Sequence, residues 1–502
     1  MAGKAGREGR VPEPFQPAPR RPLHLSCAAG MRESLSLTAI IRAGTMIHLE
    51  RAILIFLTLW GVACAIYWTA GAVRFVRTRR AAPLATDAEA MPDPAQGEWP
   101  TVCVVVPAHN EEKVIGALLA SLKRQDYPAD RLRVVFSLDR CTDATERLLR
   151  EGFGGDERFG VHVIEYCPPE WAGKVHALWH AVMHRPEAFD ADRILFIDAD
   201  TLLHPSCVRW CVKLQTARGC GLLSLYSTLA KRFWFEHVVQ PAAAGELLRQ
   251  YPVLRANEGP TTRNMANGQF MLFTREAYFH VGTHKCVQNE VLEDTAIAQI
   301  VKSLGHRCEV FFADGALVCR MYDTWTAFVN GWKRLYIELA NRRPGRMTKH
   351  AMTALTTGTA MPLLSLLAVA AALLWRSEPG VVWYQWVAGI AGAAGLLGYY
   401  TCLTFGVVWG GASAIGALLY PLGSALVAWI LLAAKSELMR GVPVRWGGKE
   451  YIRKPRLASD TAPIRPAGVA HQVPPKGAIG TYGAREAEVV VRPLDGASRN
   501  TA

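Results

Sequence analysis

From Ala52 to Val73 the chain runs through 22 residues without a charge, and no other feature limits its fold so strongly. About 20 predominantly apolar residues make a helix long enough to cross the hydrocarbon core of a bilayer. In lipid a lone segment satisfies its backbone N–H and C=O groups only as a helix, so the polar parts of the chain must be sorted to one membrane face or the other. A secretory signal peptide is the competing reading. It is disfavoured because a long arm precedes the run, the run exceeds an ordinary h-region, and four arginines follow it (Arg74, Arg77, Arg79 and Arg80). The same arginines put the next domain on the cytosolic face.

Three more apolar segments come late, at about 351–375, 381–407 and 411–434, divided by the polar 376–380 turn and the Trp409-Gly410-Gly411 break. Four transmembrane helices are therefore expected in a multi-pass protein of the cell (inner) membrane. One lies in residues 46–80 with its basic flank, and three lie in 351–434. Residues 435–456 create a tension, because they carry seven Lys or Arg against two Glu and so favour the cytosol. Three spans after a cytosolic domain end outside, so one segment is expected to be interfacial or re-entrant. Residues 1–45, with seven Lys or Arg, three Glu and no lasting apolar period, are expected to be a disordered basic arm. Residues 435–502 are read as a basic juxtamembrane segment and a disordered tail, with one short Val489-Val490-Val491 run able to make a strand. Met46 offers an alternative translation start that intact mass would decide.

Composition agrees. Half of the residues are apolar and only 20% are charged, below the usual quarter. Much of the +13 formal charge sits beside apolar runs and in the termini, which suits a membrane surface rather than nucleic acid. The twelve cysteines form no CxxC pair, and Cys207 and Cys211 have no nearby histidine pair to complete a zinc site, so reduced thiols are expected.

Between the spans, residues 99–346 change character. Apolar runs shorten to strand length and alternate with amphipathic segments, the pattern of a mostly parallel sheet covered by helices. Val102 to Val106 ends in Pro107-Ala108-His109-Asn110-Glu111-Glu112, and residues 133–138 end in Asp139-Arg140-Cys141-Thr142-Asp143. Ile194 to Ile197 ends in Asp198-Ala199-Asp200. In an open α/β sheet, ligands bind outside the carboxyl ends of the strands, so these acids are candidates for a nucleotide and its metal. Alternate residues of extended backbone point oppositely, so either the chain turns after Ile197 or the two acids divide the work, with Asp200 on the metal. Mg²⁺ or Mn²⁺ would be the fitting ion, held by few carboxylates and by diphosphate oxygens.

Other candidates have bland readings beside the functional ones. Lys174, after Gly173 at a helix start, either steers a diphosphate or is solvated. Glu293 and Asp294 precede a helix, where acids serve as caps, but Asp294 also suits a general base that takes a proton from an acceptor hydroxyl. Trp332 and Arg334, within Asn330-Gly331-Trp332-Lys333-Arg334-Leu335-Tyr336, belong either to substrate gating with Glu293 or to an interfacial aromatic belt. Amphipathic material over residues 229–254 either lies on the membrane or packs in the core.

Taken in order, Pro107 to Glu112, Asp139 to Asp143, Gly173-Lys174, Asp198-Ala199-Asp200 and Glu293-Asp294 resemble the membrane-bound glycosyltransferase family 2. Asn267-Gly268-Gln269, Gly282, His284, Asn289 to Asp294, Arg320-Met321-Tyr322 and Trp446-Gly447-Gly448-Lys449-Glu450-Tyr451 look like its carotenoid, ceramide or hopanoid-lipid branch. The resemblance implies a GT-A (Rossmann-like) nucleotide-sugar domain, a donor that is usually UDP-linked, and inversion of the anomeric centre in one displacement. It implies nucleotide contacts from Pro107, Glu111, Asp139, Lys174 and Asp198, metal binding by Asp200, and Asp294 as the base. The chain departs from the family at its QxxRW signature, where Asn330 or Gly331 replaces Gln and Leu335 follows Arg334, and in the helix after Gly173-Lys174, where Trp179 stands in place of Asn.

The function expected is transfer of one sugar from a nucleotide donor, a UDP-hexose by resemblance, to a hydroxyl or carboxyl of a membrane lipid, with no nucleic-acid partner. The alternative is a processive polysaccharide synthase of cellulose or hyaluronan type, which would need a polar channel and an intact gating motif. A transporter is disfavoured because no span carries a mid-membrane charge.

Overall fold

In this computed structural model, residues 25–95, 98–258, 265–290, 292–446, 449–456 and 470–480 are described. The strands in chain order are β1 (Val102–Ala108), β2 (Leu132–Asp139), β3 (Phe159–Ile164), β4 (Arg193–Ile197), β5 (Thr201–Leu203), β6 (Leu222–Tyr226), β7 (Thr228–Leu229), β8 (Phe270–Thr274), β9 (Cys308–Phe312), β10 (Leu317–Cys319), β11 (Val444–Trp446) and β12 (Lys449–Tyr451). Seven of them form one sheet in the order β3-β2-β1-β4-β8-β6-β9. β1 pairs in parallel with both β2 and β4, and β8 alone runs against its neighbours β4 and β6. The expected mostly parallel α/β domain is therefore present.

The sequence of β1 explains its place at the centre. Its β-branched run is buried on both faces, as a central parallel strand must be. Val102, Val104 and Val106 enter one core with the helix Ile115–Lys123, while Cys103 and Val105 enter the other with the helix Gly173–His184. From β1 the chain moves outward to β2 and β3, then returns to β4 on the opposite side of β1. That reversal opens a crevice between the loops following β1 and β4, where ligands of such sheets bind.

Four helices are long and apolar enough to cross a membrane. Three pack together: Leu25–Ala81, Met361–Leu374 and Val382–Gly410. Small residues let their backbones touch; a Cβ at Gly61 would stand 2.8 Å from the Ala391 carbonyl oxygen, and one at Gly392 2.5 Å from that of Ser365. The fourth helix, Tyr420–Arg440, touches that group only at its start, where Tyr420 meets Trp68 and Tyr399. It runs along the helices Gln240–Gln250 and Trp325–Leu339 of the α/β domain and along Pro344–Thr353 and Ala354–Ala360, the first part of the Pro344–Leu374 candidate span. Near its start a Cβ at Gly423 would meet the Val238 carbonyl oxygen, and near its end Glu437 binds Lys333 at 2.6 Å. Both ends thus adjoin the same domain, while Leu422 and Trp429 face outward. The apolar stretch expected at 411–434 is broken by a short helix, Ala414–Leu418, ahead of this one.

Two boundaries differ from expectation. The first helix begins at Leu25, some twenty residues inside the arm read as disordered. Residues 25–45 are rich in Ala, Leu and Ile, and a helix nucleated by the span propagates through such residues without an apolar period in the sequence to reveal it. The tail also has a docked part. The His471 N–H donates to the His280 carbonyl, the Gly477 N–H donates to Asp190, Lys476 binds Asp192 at 2.7 Å, and Ile479 touches the core. Docking through backbone and isolated charges leaves no periodicity to read. Residues 1–24, the pair Gly447-Gly448 and the Val489-Val490-Val491 run lie outside the described residues.

Candidate active site

Three strand ends build the crevice. After β1 the backbone turns left-handed at Asn110 (φ 59°), and after β2 at Arg140 (φ 51°). Such a conformation suits Asn, whose side chain bonds locally; here Asn110 Oδ1 accepts from the Thr142 N–H at 2.8 Å and ties the two loops together. Asp143, just before the next helix, accepts from the Thr145 N–H and hydroxyl. Asp139 is buried with both carboxylate oxygens on the Arg140 guanidinium, at 2.9 and 2.6 Å. Pro107 is the penultimate residue of β1, opposite Ser137.

After β4 the chain turns at once, the Asp198 carbonyl accepting from both the Thr201 N–H and hydroxyl. The turn sends the two acids to different partners. Asp198 meets Lys174 at 2.7 Å, and Asp200 accepts from the Cys319 thiol at 3.4 Å. Lys174 also binds Glu293 at 2.8 Å and Asp198 and Glu293 together hold its pKa above the usual lysine range, although burial alone would lower it. Lys174 is therefore an ion-paired group at the first turn of its helix rather than a solvated one.

Burial pushes the Glu111 carboxyl up to about 7, with Asp200, Asp198 and Asp143 adding to the rise. Asp200 is raised by burial and by Asp198. Glu111 and Asp200 are thus held up by burial and by the charge of the neighbouring acids, and an all-oxygen set is what Mg²⁺ or Mn²⁺ prefers. Glu111, Asp198 and Asp200 fit such an ion.

Asp294 opens the helix Glu293–Ser303, where the exposed N–H groups favour an anion. Its Oδ2 accepts from the Gly268 N–H at 2.9 Å and its Oδ1 from the Thr295 N–H at 2.6 Å. Burial raises its pKa, while Lys174 and these donors oppose the rise. Gly268 is required by crowding: a Cβ there would lie 3.0 Å from Lys174 Nζ, 3.1 Å from Glu293 Oε1 and 3.3 Å from Asp294 Oδ2.

A cavity of about 430 Å³ starts at this cluster and ends among the membrane helices. Lys174, Asp198, Glu293 and Asp294 line its inner end; Tyr67, Trp68, Phe75, Leu403 and Gly406 line its outer end. Trp332 and Arg334 stand in its wall, Trp332 buried against Phe328 and Tyr336 rather than in an exposed aromatic belt. Pro107, Glu111, Asp139 and Asp200 lie in the strand-end crevice beside it. Sequence reasoning missed the Glu246–Arg249–His350 cluster, whose Glu246 and Arg249 line the cavity and in which Glu246 binds Arg249 at 2.5 Å and His350 at 3.1 Å. An acid and an arginine three residues apart on an amphipathic helix carry no signal that a histidine about a hundred residues later completes them.

Residues 100–343 match the family described as glycosyltransferase like family 2. The 4,4'-diaponeurosporenoate glycosyltransferase of Staphylococcus aureus is 28% identical over 249 residues, which are 49% of this chain and 63% of that protein. The chain thus matches less than two thirds of the length of that relative. Among solved structures, a mannosyltransferase from Pyrobaculum calidifontis in complex with GDP-Man and Mn²⁺ aligns over 77% of this chain and 98% of its own, at 19% identity and a TM-score of 0.41. Glucosyl-3-phosphoglycerate synthase from Mycobacterium tuberculosis, with Mn²⁺, UDP and glucosyl-3-phosphoglycerate, aligns over 50% and 79%, at 20% identity and a TM-score of 0.31. The family match places a glycosyltransferase like family 2 domain over residues 100–343, the stretch that contains the seven-stranded sheet and the acids at its strand ends.

Proposed function

We propose that this protein transfers a single hexose from a UDP-linked donor to a membrane lipid, inverting the anomeric centre. The observation that carries the reading is the cavity itself, which joins the carboxylate cluster to an apolar mouth between membrane helices. A lipid entering from the bilayer would present its head group at Asp294 while its chain remains among Trp68, Phe75 and Leu403. The named relative, a glycosyltransferase of a carotenoid acid, is consistent with an apolar acceptor.

In this reading the donor's nucleotide lies in the strand-end crevice over Pro107, Glu111 and Asp139. Asp139 exchanges a partner with Arg140 to meet the base or ribose. Lys174, held charged by Asp198 and Glu293, sits beside the diphosphate. Mg²⁺ or Mn²⁺ on Asp200, with Glu111 and Asp198 beside it, would neutralise the leaving diphosphate. Asp294 keeps lone pairs beyond its two backbone hydrogen bonds, and with these it takes the proton of an acceptor hydroxyl as the oxygen attacks. An acceptor carboxylate needs no such base, so the identity of the acceptor decides how much work falls to Asp294. Trp332 and Arg334 close the cavity wall near the donor sugar.

The same reading sets the topology. Three spans cross the bilayer, the Tyr420–Arg440 helix lies at its surface against the catalytic domain, and the 442–480 region returns to the cytosolic face.

A detergent-solubilised preparation given a panel of UDP-sugars, Mn²⁺ or Mg²⁺ and total lipid extract tests the proposal by mass spectrometry. A lipid heavier by one hexose supports it. A ladder of added sugars would replace it with the polysaccharide synthase, and no product with any metal or donor would overturn it.

A further inference from the structure

The helix Gly173–His184 does more than deliver Lys174. It carries His176, His180 and His184 at successive four-residue intervals, which in a helix lie along one face. Edge strand β3 brings His162 to the same face. His162 Nε2 stands 2.7 Å from His180 Nδ1, and one ring nitrogen from each of His162, His180 and His184 lies within 4.8 Å of the others. His184 Nδ1 sits 2.8 Å from the His180 backbone carbonyl. A metal-bound histidine usually makes that bond, giving its second N–H to a carbonyl and turning the other nitrogen to the ion.

We infer that His162, His180 and His184 form a transition-metal site of the zinc class, separate from the carboxylate crevice. Tetrahedral Zn–N bonds of about 2.0–2.1 Å place ligand nitrogens roughly 3.3–3.4 Å apart. The close pair must open by less than about 1 Å, and exposed His184, stacked on His180 at 3.8 Å between ring centroids, must tilt from that stack, about its Nδ1 contact, to turn Nε2 to the ion. Burial first, and then the neighbouring ring of His184, depress His162 to about 4 and His180 to about 3, so both are neutral at physiological pH as ligands must be. The nearest cation, Arg185, is paired with Glu187 at 2.7 Å. Solvent reaches the exposed side and supplies a fourth ligand.

The location separates the two centres. His180 and His184 stand six and ten residues beyond Lys174, roughly 9 and 15 Å along the axis. Imidazole selects zinc-like ions, whereas the all-carboxylate crevice selects hard ones. An ion on the histidines would fasten the edge strand β3 to the helix whose first turn holds Lys174.

The test uses the full chain, free of any affinity tag, in detergent with saturating Mg²⁺ to occupy the carboxylates. Zn²⁺ is titrated against a chromophoric chelator, and Co²⁺ absorption reports geometry. The expected result is one equivalent of Zn²⁺ and a tetrahedral Co²⁺ spectrum, both retained in Asp200→Asn. His184→Gln, at an exposed position that leaves the fold intact, should weaken Zn²⁺ at least about tenfold, as should His162→Gln. Zn²⁺ should raise the melting temperature of the parent but not of His184→Gln. Absence of bound Zn²⁺ in the parent, or equal binding by both variants, would overturn the site.

Discussion

The two ends of the cavity solve opposite problems, and two glycines mark the contrast. Gly268, at the inner end, is hemmed in by one lysine and two acids within 3.3 Å of where its Cβ would be. Gly406, at the outer end, would place a Cβ in open space. Buried charges must be paired and hydrogen-bonded, so the inner end is tightly set and an added atom displaces its members. The outer end is lined mostly by aromatic, aliphatic and small residues, which impose size more than geometry. Chemistry and acceptor choice should therefore respond to separate mutations.

The largest effect should come from Asp294→Asn. The amide keeps the size of the side chain but cannot accept a proton, so transfer to a hydroxyl should fall about 10²- to 10⁴-fold while UDP-sugar binding persists. Calorimetry for donor binding and product mass spectrometry for turnover check both parts. Unchanged transfer to a hydroxyl would remove Asp294 as the base, whereas a small loss accompanied by an ester product would identify a carboxyl acceptor. Chelation of the divalent ion, or Asp200→Asn, comes next, with an expected loss on the order of 10²-fold. Readdition of Mn²⁺ should restore the parent and leave the variant inactive.

Metal removal also exposes a pH dependence. The Glu111 carboxyl titrates near 7 in the folded, metal-free protein against an ordinary 4.5, so the folded state holds its proton longer than the unfolded state. Stability from this group is full below about pH 4.5 and declines as pH rises towards 7. The chelated protein should therefore melt lower at about pH 8 than at about pH 5, and Mn²⁺ should raise the melting temperature more at the higher pH. A flat profile would mean that Glu111 does not share the acids' field.

The two ends were also unequally legible. Three buried strands, Val102 to Val106, residues 133–138 and Ile194 to Ile197, announced Glu111, Asp139, Asp198 and Asp200, at the inner end and in the crevice beside it, locally. The partnership of Lys174 with both Asp198 and Glu293 was not legible, because it joins residues 24 and 119 positions away. The outer end draws Trp68 and Gly406 from opposite ends of the chain, and an apolar residue facing a cavity looks the same in sequence as one facing lipid. The Tyr420–Arg440 helix shows the same limit. Its hydropathy matches that of a span, and contacts along the domain's helices, from Val238 near its start to Lys333 near its end, distinguish it.

The two glycines turn the contrast into a paired experiment. Gly268→Ala adds one methyl among Lys174, Glu293 and Asp294, so kcat should fall about tenfold through displacement of the cluster. Gly406→Leu is the smaller perturbation. It removes a glycine from a helix interior, which by itself favours the helix, so any functional change cannot be blamed on unfolding. The leucine should project into the mouth of the cavity and raise the acceptor KM about threefold to tenfold, most for the bulkiest lipids. Hydrolysis of the UDP-sugar in the absence of acceptor should be unchanged, because the inner end is untouched. If Gly406→Leu instead slowed hydrolysis, the two ends would be coupled and the division between chemistry and selection would fail. An unaltered acceptor profile would place the lipid's entry elsewhere among the helices.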